Sequence, residues 1–394
     1  SCTPVPAMQA TGLHVVLCMD KFKGTLTSSQ AAARILDTLS RCLRSHAQQQ
    51  QQQQQQQHRS ALPLHGTIIP LSDGGDGFLA SLEAPLQLVR HTVRVRGPLM
   101  TGEFSSEEGP AAEGLLAEYG VTPCGTTAVI ESAVACGLVL LPPLMRNPLK
   151  TSSFGVGQLV EDARRRGVKR IILGLGGSST NDAGLGALQA MGLQLWGGKE
   201  QAHGEWNRPI TGEELREVVE MDTQVLRDRY AAIEIKIACD VDTVFVGPAG
   251  AVEIFSPQKG ATTVESRAIL EEGMLHIRDL IQRMNGVDLG SVMGSGAAGG
   301  MCGGFSQLCP RVEIQKGGEM IAEATGLMEA VSSADLVVTG EGCFDSQSEM
   351  GKVVDIVTKT AEKWDKPVVI LCGMNKYMEE MGRPSPEYRV PVKV

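Results

Sequence analysis

The stretch Val168–Gly192, VKRIILGLGGSSTNDAGLGALQAMG, decides how this chain is read. Its first part, Val168 to Leu175, has an apolar second half of the kind shown by a strand buried on both faces. Gly174, Gly176 and Gly177 then predict a turn, Ser178 and Ser179 add two hydroxyls, and a helix is expected to begin near Ala183. Strand, glycine loop and helix in that order is the grammar of parallel α/β proteins, whose functional groups stand at the carboxyl ends of strands. Backbone N–H groups freed by glycine, hydroxyls and a helix N-terminus together suit an anion, either phosphate oxygens or a carboxylate. Asn181 and Asp182 read in two ways: as caps of the following helix, or, for Asp182, as a base or Mg²⁺ ligand beside the anion.

The same pattern recurs outward from this stretch. Leu13–Met19 reads as a strand, followed by a loop and a helix opened by Thr27 with Gln30 three residues on, a capping-box spacing. Ala31, Ile35, Leu39 and Leu43 continue that helix toward His46, and the glutamine run 48–57 reads as a solvated insertion after it. Further strands are expected at Thr67–Leu71, Thr92–Val95, Thr126–Glu131, Ile233–Ala238, Leu336–Thr339 and Pro367–Leu371, with a helix from about Gly155 to Arg166. Gly197–Asp228 reads as a polar surface excursion. Beyond Pro384 the chain turns proline-rich and ends without a clear terminal element, which reads as an interruption.

Composition narrows the function. A chain of 394 residues with 42% hydrophobic and 21% charged residues is an ordinary globular protein long enough for two domains. A net charge of -9 without a basic block argues against nucleic acid or an anionic membrane surface as partner. No apolar run reaches the roughly 18 to 20 residues of a membrane span. The ten cysteines are scattered without C-x-x-C spacing and the seven histidines form no zinc motif, so reduced cysteines and no structural metal are expected. The location defaults to the cytoplasm; because the chain starts at Ser1, an organellar, plastid location stays open.

Several other segments carry chemistry. No G-x-x-x-x-G-K-[ST] occurs, which excludes an ordinary P-loop, and no G-x-S-x-G elbow supports a serine hydrolase. Gly294, Gly296 and Gly299 fit G-x-G-x-x-G but follow no convincing strand; GSGAAGGM reads instead as close backbone approach at a domain interface or ligand cleft. Lys21 and Lys23 sit between the first strand and its helix. SDGGDG, residues 72–77, places Asp73 and Asp76 in a glycine turn with Gly74 and Gly75. TGEGCFDSQSEMGK supplies Glu341, Asp345, Ser346 and Lys352 after a strand. Asp240 and Asp242, Gln258 and Lys259, and Arg146 with Thr151 to Ser153 complete the inventory, which suffices for phosphoryl transfer.

Taken together these segments resemble the type-1 glycerate kinase family, through DKFKGTL, SDGGDG, ESAVACGL, RNPLKTSSFGVGQL, GLGGSSTNDAGLG, ACDVD with GPAGAVEIFSPQKGA, GSGAAGGM and VTGEGCFDSQSEMGK in family order from Leu13 to Gly373. The resemblance implies phosphorylation of D-glycerate, at its 2-hydroxyl, by ATP with Mg²⁺. It also implies two α/β domains, one flavodoxin-like with a parallel sheet and one of restriction-enzyme-like topology, with the active site between them. The expected flavodoxin-like domain is discontinuous, residues 1–75 and 290–394, and residues 76–289 form the inserted domain. Carried onto this sequence, the family pattern implies Lys23 and Asp182 as catalytic residues; Gly176, Gly177, Ser178, Ser179 and Asn181 at nucleotide phosphates; Asp73, Gly74, Gly75, Arg146, Ser153, Glu341 and Asp345 at the substrate; and Asp73 and Asp240 at the metal. A homodimer stays open. The family has arginine where Cys343 stands and isoleucine at Phe344, and cysteine cannot replace a bidentate cation. The alternative reading is therefore a catalytically impaired relative that binds a metabolite.

Overall fold

A computed structural model describes residues 12–20, 22, 25–53, 63–72, 77–99, 114–197, 204–344 and 353–376, with side chains omitted for 47–53. The chain divides into two compact units, one of residues 1–73 and 321–394 and one of residues 74–320. The strands are β1 (Leu13–Met19), β2 (Leu64–Ile68), β3 (Val89–Val95), β4 (Leu115–Val121), β5 (Thr127–Glu131), β6 (Arg170–Gly174), β7 (Gln194–Gly197), β8 (Val218–Asp222), β9 (Glu234–Ala238), β10 (Val312–Gln315), β11 (Leu336–Phe344) and β12 (Val368–Asn375).

In the smaller unit a four-stranded sheet runs β12-β11-β1-β2, with every pairing parallel. This is the order in which a flavodoxin-like sheet begins, and its direction of winding reverses between β1 and β11. β1 is buried because its residues are apolar on both faces: Val15, Val16, Leu17, Cys18 and Met19 have no exposed surface. Helix α1 (Ser28–Gln53) opens with the expected capping box: Gln30 N–H donates to Thr27 Oγ1 at 3.2 Å and Thr27 N–H to Gln30 Oε1 at 3.1 Å.

Two expectations fail in this unit. The second strand lies at Leu64–Ile68, not Thr67–Leu71, because the ladder to β1 starts at Leu13 against Leu64 and Pro70 has no N–H to extend it. Ile69 and Leu71 are buried, but as chain leaving the sheet. The glutamines through Gln53 continue α1 instead of following it. Glutamine is a good helix former, and extending an existing helix needs no new nucleus.

In the larger unit a six-stranded sheet runs β10-β9-β6-β5-β4-β3, parallel from β10 to β5 and antiparallel at β4 and β3. The antiparallel edge was not foreseen as such; β3 alternates along VRHTVRV and leaves one face wet, as antiparallel strands permit. The expected return to the first domain at residue 290 is displaced to residue 321. Residues 290–320 belong to the larger unit because β10 pairs with β9 there. Gly197–Asp228 is also more than a surface excursion: β7 and β8 pair, and Ile210, Leu215, Val218 and Leu226 are fully buried. Each described cysteine is unbridged. Among the described residues no helix is long and apolar enough to cross a membrane.

Candidate functional site

Parallel strands of the larger unit deliver their carboxyl ends to one row: Glu131 at the end of β5, the glycine-serine loop after β6 and Asp240 after β9. The loop turns at Gly176 and Gly177, where Gly177 has φ +72°, a conformation that favours glycine. The chain then comes back against Cys136–Leu138: Leu138 N–H donates to Gly177 O and Ser179 N–H to Cys136 O, both at 2.8 Å. Ser179 Oγ donates to the same Cys136 carbonyl at 2.8 Å, and Thr151 Oγ1 to Ser179 O at 3.0 Å. Only the tip remains accessible. Gly177 is exposed and Gly176 partly so, Ser178 is 5% exposed, and Ser179 through Asp182 have no exposed surface. Among the described residues the N–H groups of Gly176 and Gly177 have no protein acceptor.

On the other side GSGAAGGM closes on the loop, through helix α4 (Ala297–Leu308), whose first turns are non-helical at Ala298, Gly299 and Gly300. Ala183 N–H donates to Gly299 O at 3.0 Å. A Cβ on Gly299 would lie 2.0 Å from Thr180 O, so only glycine permits this approach, and the positive φ of +68° reinforces the requirement. The close backbone approach read from the sequence is thus made onto the glycine-serine loop.

The helix after the loop begins at Leu185, not near Ala183, with Gly184 in its N-cap position and no side-chain cap. Asp182 instead reaches a different helix, α3 (Phe154–Arg165): its Oδ2 accepts Ser153 N–H and Ser153 Oγ–H, each at 2.7 Å, and its Oδ1 accepts Gly184 N–H at 3.2 Å. Ser153 Oγ in turn accepts Ala187 N–H at 2.9 Å. Burial raises the Asp182 carboxyl above its ordinary range, against the lowering effect of the Ser153 hydrogen bonds. Both Asp182 and Ser153 are therefore spent inside the fold, tying the loop to the start of α3, and neither presents an atom to solvent.

Behind the tip lies Lys259, 2% exposed. Its ammonium donates to Thr180 O at 2.7 Å and to Ser178 Oγ at 3.2 Å. Desolvation lowers its pKa to about 8, offset in part by the nearby Cys136 and Asp182. The sequence named Lys259 without giving it a place in the site, since nothing within SPQKGA reveals partners about 80 positions away. The following Gly260 packs on the backbone of Arg146, 2.0 Å from a notional Cβ to Arg146 O. Arg146 is part-buried, donates Nε–H to Leu141 O at 3.4 Å, and joins no ion pair among the described residues.

Two carboxylates at the strand ends of this unit serve backbone amides. Glu131, which the sequence quoted without a role, accepts Gly77 N–H and Leu79 N–H, both at 3.3 Å, at the start of α2 (Phe78–Glu83). It thereby anchors the chain leaving SDGGDG. Asp240 accepts Gly318 N–H at 3.4 Å. Glu341 belongs to the smaller unit, on β11 just past the end of its ladder with β1: Asp20 N–H donates to Gly340 O at 2.8 Å, and Asp20 and Glu341 are 7% and 9% exposed. Brändén's rule for ligand crevices points to the carboxyl side of the β1–β11 pair, where the winding reverses. Lys23, Asp73, Gly74, Gly75 and Asp345 lie outside the described residues.

Free N–H groups, a hydroxyl and a buried cation behind them make a receptor for a phosphate or carboxylate group. A glycerate kinase of Halalkalibacterium halodurans is 37% identical over 361 residues, covering 91% of this chain and 85% of that protein. The glycerate kinase of Haemophilus influenzae is 39% identical over 305 residues, 77% of this chain and 76% of the relative. The glycerate 2-kinase of Escherichia coli K12 is 37% identical over 308 residues, 77% and 75% of the two chains. A crystal structure from Salmonella typhimurium LT2, provisionally named glycerate kinase 2, matches with a TM-score of 0.73 at 32% identity, covering 92% of this chain and 87% of that one. Because the model of the glycerate kinase family matches residues 15–384, spanning both sheets and every loop described above, this chain belongs to the glycerate kinase family.

Proposed function

We propose that this protein transfers the terminal phosphoryl group of ATP to the 2-hydroxyl of D-glycerate, giving 2-phospho-D-glycerate and ADP. The observation that carries the reading is the accessible tip Gly176–Ser178, with free N–H groups at both glycines and an ammonium behind it. Phosphoryl transfer needs chiefly positioning and charge stabilisation, which such a tip offers to phosphate oxygens. The choice of the 2-hydroxyl leans on the Escherichia coli relative, named a glycerate 2-kinase.

In this reading Gly176, Gly177 and Ser178 hold nucleotide phosphates, with Ser179 and Asn181 shaping the loop beneath them. Lys23 supplies a second cation. Arg146, Glu341 and Asp345, with the Asp73–Gly75 turn, are assigned to glycerate. Asp182 and Ser153 act by positioning, since their polar atoms are already engaged. Mg²⁺ carried in with nucleotide needs only one or two protein carboxylates, for which Asp73 and Asp240 are the candidates. Bound Mg²⁺ would neutralise charge on the phosphates.

The test is an assay of the purified protein with D-glycerate, ATP and Mg²⁺, coupled to ADP release, with phosphorus NMR of the product. ADP release and a 2-phosphoglycerate signal are expected. Absence of ADP release from folded protein contradicts the reading. If Cys343→Arg is equally inactive while glycerate still raises the melting temperature, the metabolite-binding alternative replaces it.

A further inference from the structure

We propose that Lys259 is a positioning residue of the phosphate site: its buried ammonium fixes Ser178 so that the Ser178 hydroxyl donates outward to an anion, and it supplies positive charge beneath that anion. The inference deepens the proposed function and rests on its reading of the Gly176–Ser178 tip as the seat of phosphate.

The argument begins with donors and acceptors. Lys259 Nζ donates to Ser178 Oγ, so that oxygen is an acceptor in this contact and its own hydrogen must point away from the lysine. Ser178 stands at the rim of the loop, next to exposed Gly177, and no protein acceptor takes its hydroxyl hydrogen among the described residues. A lysine lacks any acceptor, so it sets the direction of this hydroxyl in a way that a serine, asparagine or water could not.

The second step concerns charge. An ammonium with three N–H donors has two acceptors here, and Lys259 joins no ion pair among the described residues. Asp182 and Cys136 are the titratable groups that face it. The Cys136 thiol is pushed up to about 12 by burial and stays neutral, and the Asp182 oxygens are taken by Ser153 and Gly184. Burying a cation without a contacting anion is costly, and such arrangements are found where a ligand completes the pairing. The loop in front of it holds another incomplete group: Asn181 has no exposed surface, and neither its amide nitrogen nor its amide oxygen has a partner among the described residues. Two unsettled polar side chains, Asn181 in the loop and Lys259 behind it, beside two glycine N–H groups without an acceptor among the described residues, point to an anion that is part of the working site.

Sulfate and ADP are the probes, because sulfate keeps its charge across the neutral and alkaline range and neither requires turnover. Binding is followed by calorimetry and by the rise in melting temperature. Wild-type protein is expected to bind sulfate near neutral pH and to lose affinity as pH rises through about 8, where the free Lys259 gives up its proton. Lys259→Met should bind both probes at least about tenfold more weakly and show no such alkaline loss, as expected when a charge-assisted contact is removed. Ser178→Ala guards against a misfolded lysine variant: it should weaken binding severalfold yet keep the alkaline loss. Unchanged affinity in Lys259→Met, or an alkaline loss that survives in it, overturns the proposal. Lysine-dependent sulfate and ADP binding in a protein that never phosphorylates glycerate leaves this inference standing and removes the proposed function. Kinase activity indifferent to Lys259 does the reverse.

Discussion

The two sheets finish their strands in opposite chemistry. In the smaller unit β1 ends on a carboxylate, Asp20, beside the point where β11 carries another, Glu341, just past their shared ladder. In the larger unit β6 ends on glycines, hydroxyls and a buried ammonium, while the flanking carboxylates of Glu131 and Asp240 accept backbone N–H groups. Both ends obey the same rule of parallel sheets, so the difference lies in the loops. A sheet fixes where a loop stands; glycines and the side chains behind them fix which charge it receives. The carboxylate end suits a hydroxyl or a cation, and the donor end suits a phosphate.

Removing the knot beneath the donor end should have the largest effect. Asp182→Ala leaves Ser153 N–H, Ser153 O–H and Gly184 N–H without their acceptor, which should cost about 3 kcal/mol or more in denaturant unfolding. A loss under about 1 kcal/mol would mean that the carboxylate, whose pKa is raised by burial, is mainly a liability kept for chemistry.

Gly299→Ala comes next. It forces a Cβ toward Thr180 O at a positive φ, and a cost of about 2 to 3 kcal/mol is expected together with weakened nucleotide binding. A matching change in the smaller unit would break the comparison: Glu341→Gln should raise KM for glycerate about tenfold while leaving ADP affinity within about twofold. Lost ADP affinity there would place the phosphates at the carboxylate end.

Titration separates background from site. On α3, burial works to raise the Glu161 carboxyl, but hydrogen bonds from Arg164, Arg165 and Tyr230 prevail and hold it at about 2. A depressed acid contributes stability that is present above its unfolded value and lost as pH falls toward 2, here about 2 kcal/mol, and Glu161→Gln should flatten that acid limb. Lys259 has the opposite sign. Its folded pKa of about 8 lies below its ordinary 10.5, so protonation burdens the folded state below about 8 and the burden is relieved as pH rises toward 10.5. Lys259→Met should therefore change stability near neutral pH by only about 1 kcal/mol, the lost hydrogen bonds offsetting the lost burden. This is the smallest stability effect of the set, joined to a clear loss of anion binding.

Much of the fold was legible because it is written locally. The bounds of β1, the Thr27–Gln30 box and the strand-loop-helix order around β6 follow from runs of neighbours. What the sequence misplaced depends on distant partners. Pro70 ended the ladder early within an apolar run that reads as strand. Gly197–Asp228 looked solvated because its buried residues are separated by charges that face outward. Asp182 stood where a cap or base is expected, yet its partner Ser153 is 29 positions away on another helix start. Lys259 was weighed as one lysine among several, since its burial and its hold on Ser178 exist only after the chain has folded back over it.

The most direct test of which strand end receives phosphate is hydrogen exchange of the folded protein, with and without a non-hydrolysable ATP analogue and Mg²⁺. The account predicts slowed exchange at Gly176 and Gly177, whose N–H groups have no protein acceptor among the described residues, with protection extending through Ser178. Protection confined to the ends of β1 and β11, with Gly176–Ser178 unchanged, would contradict it.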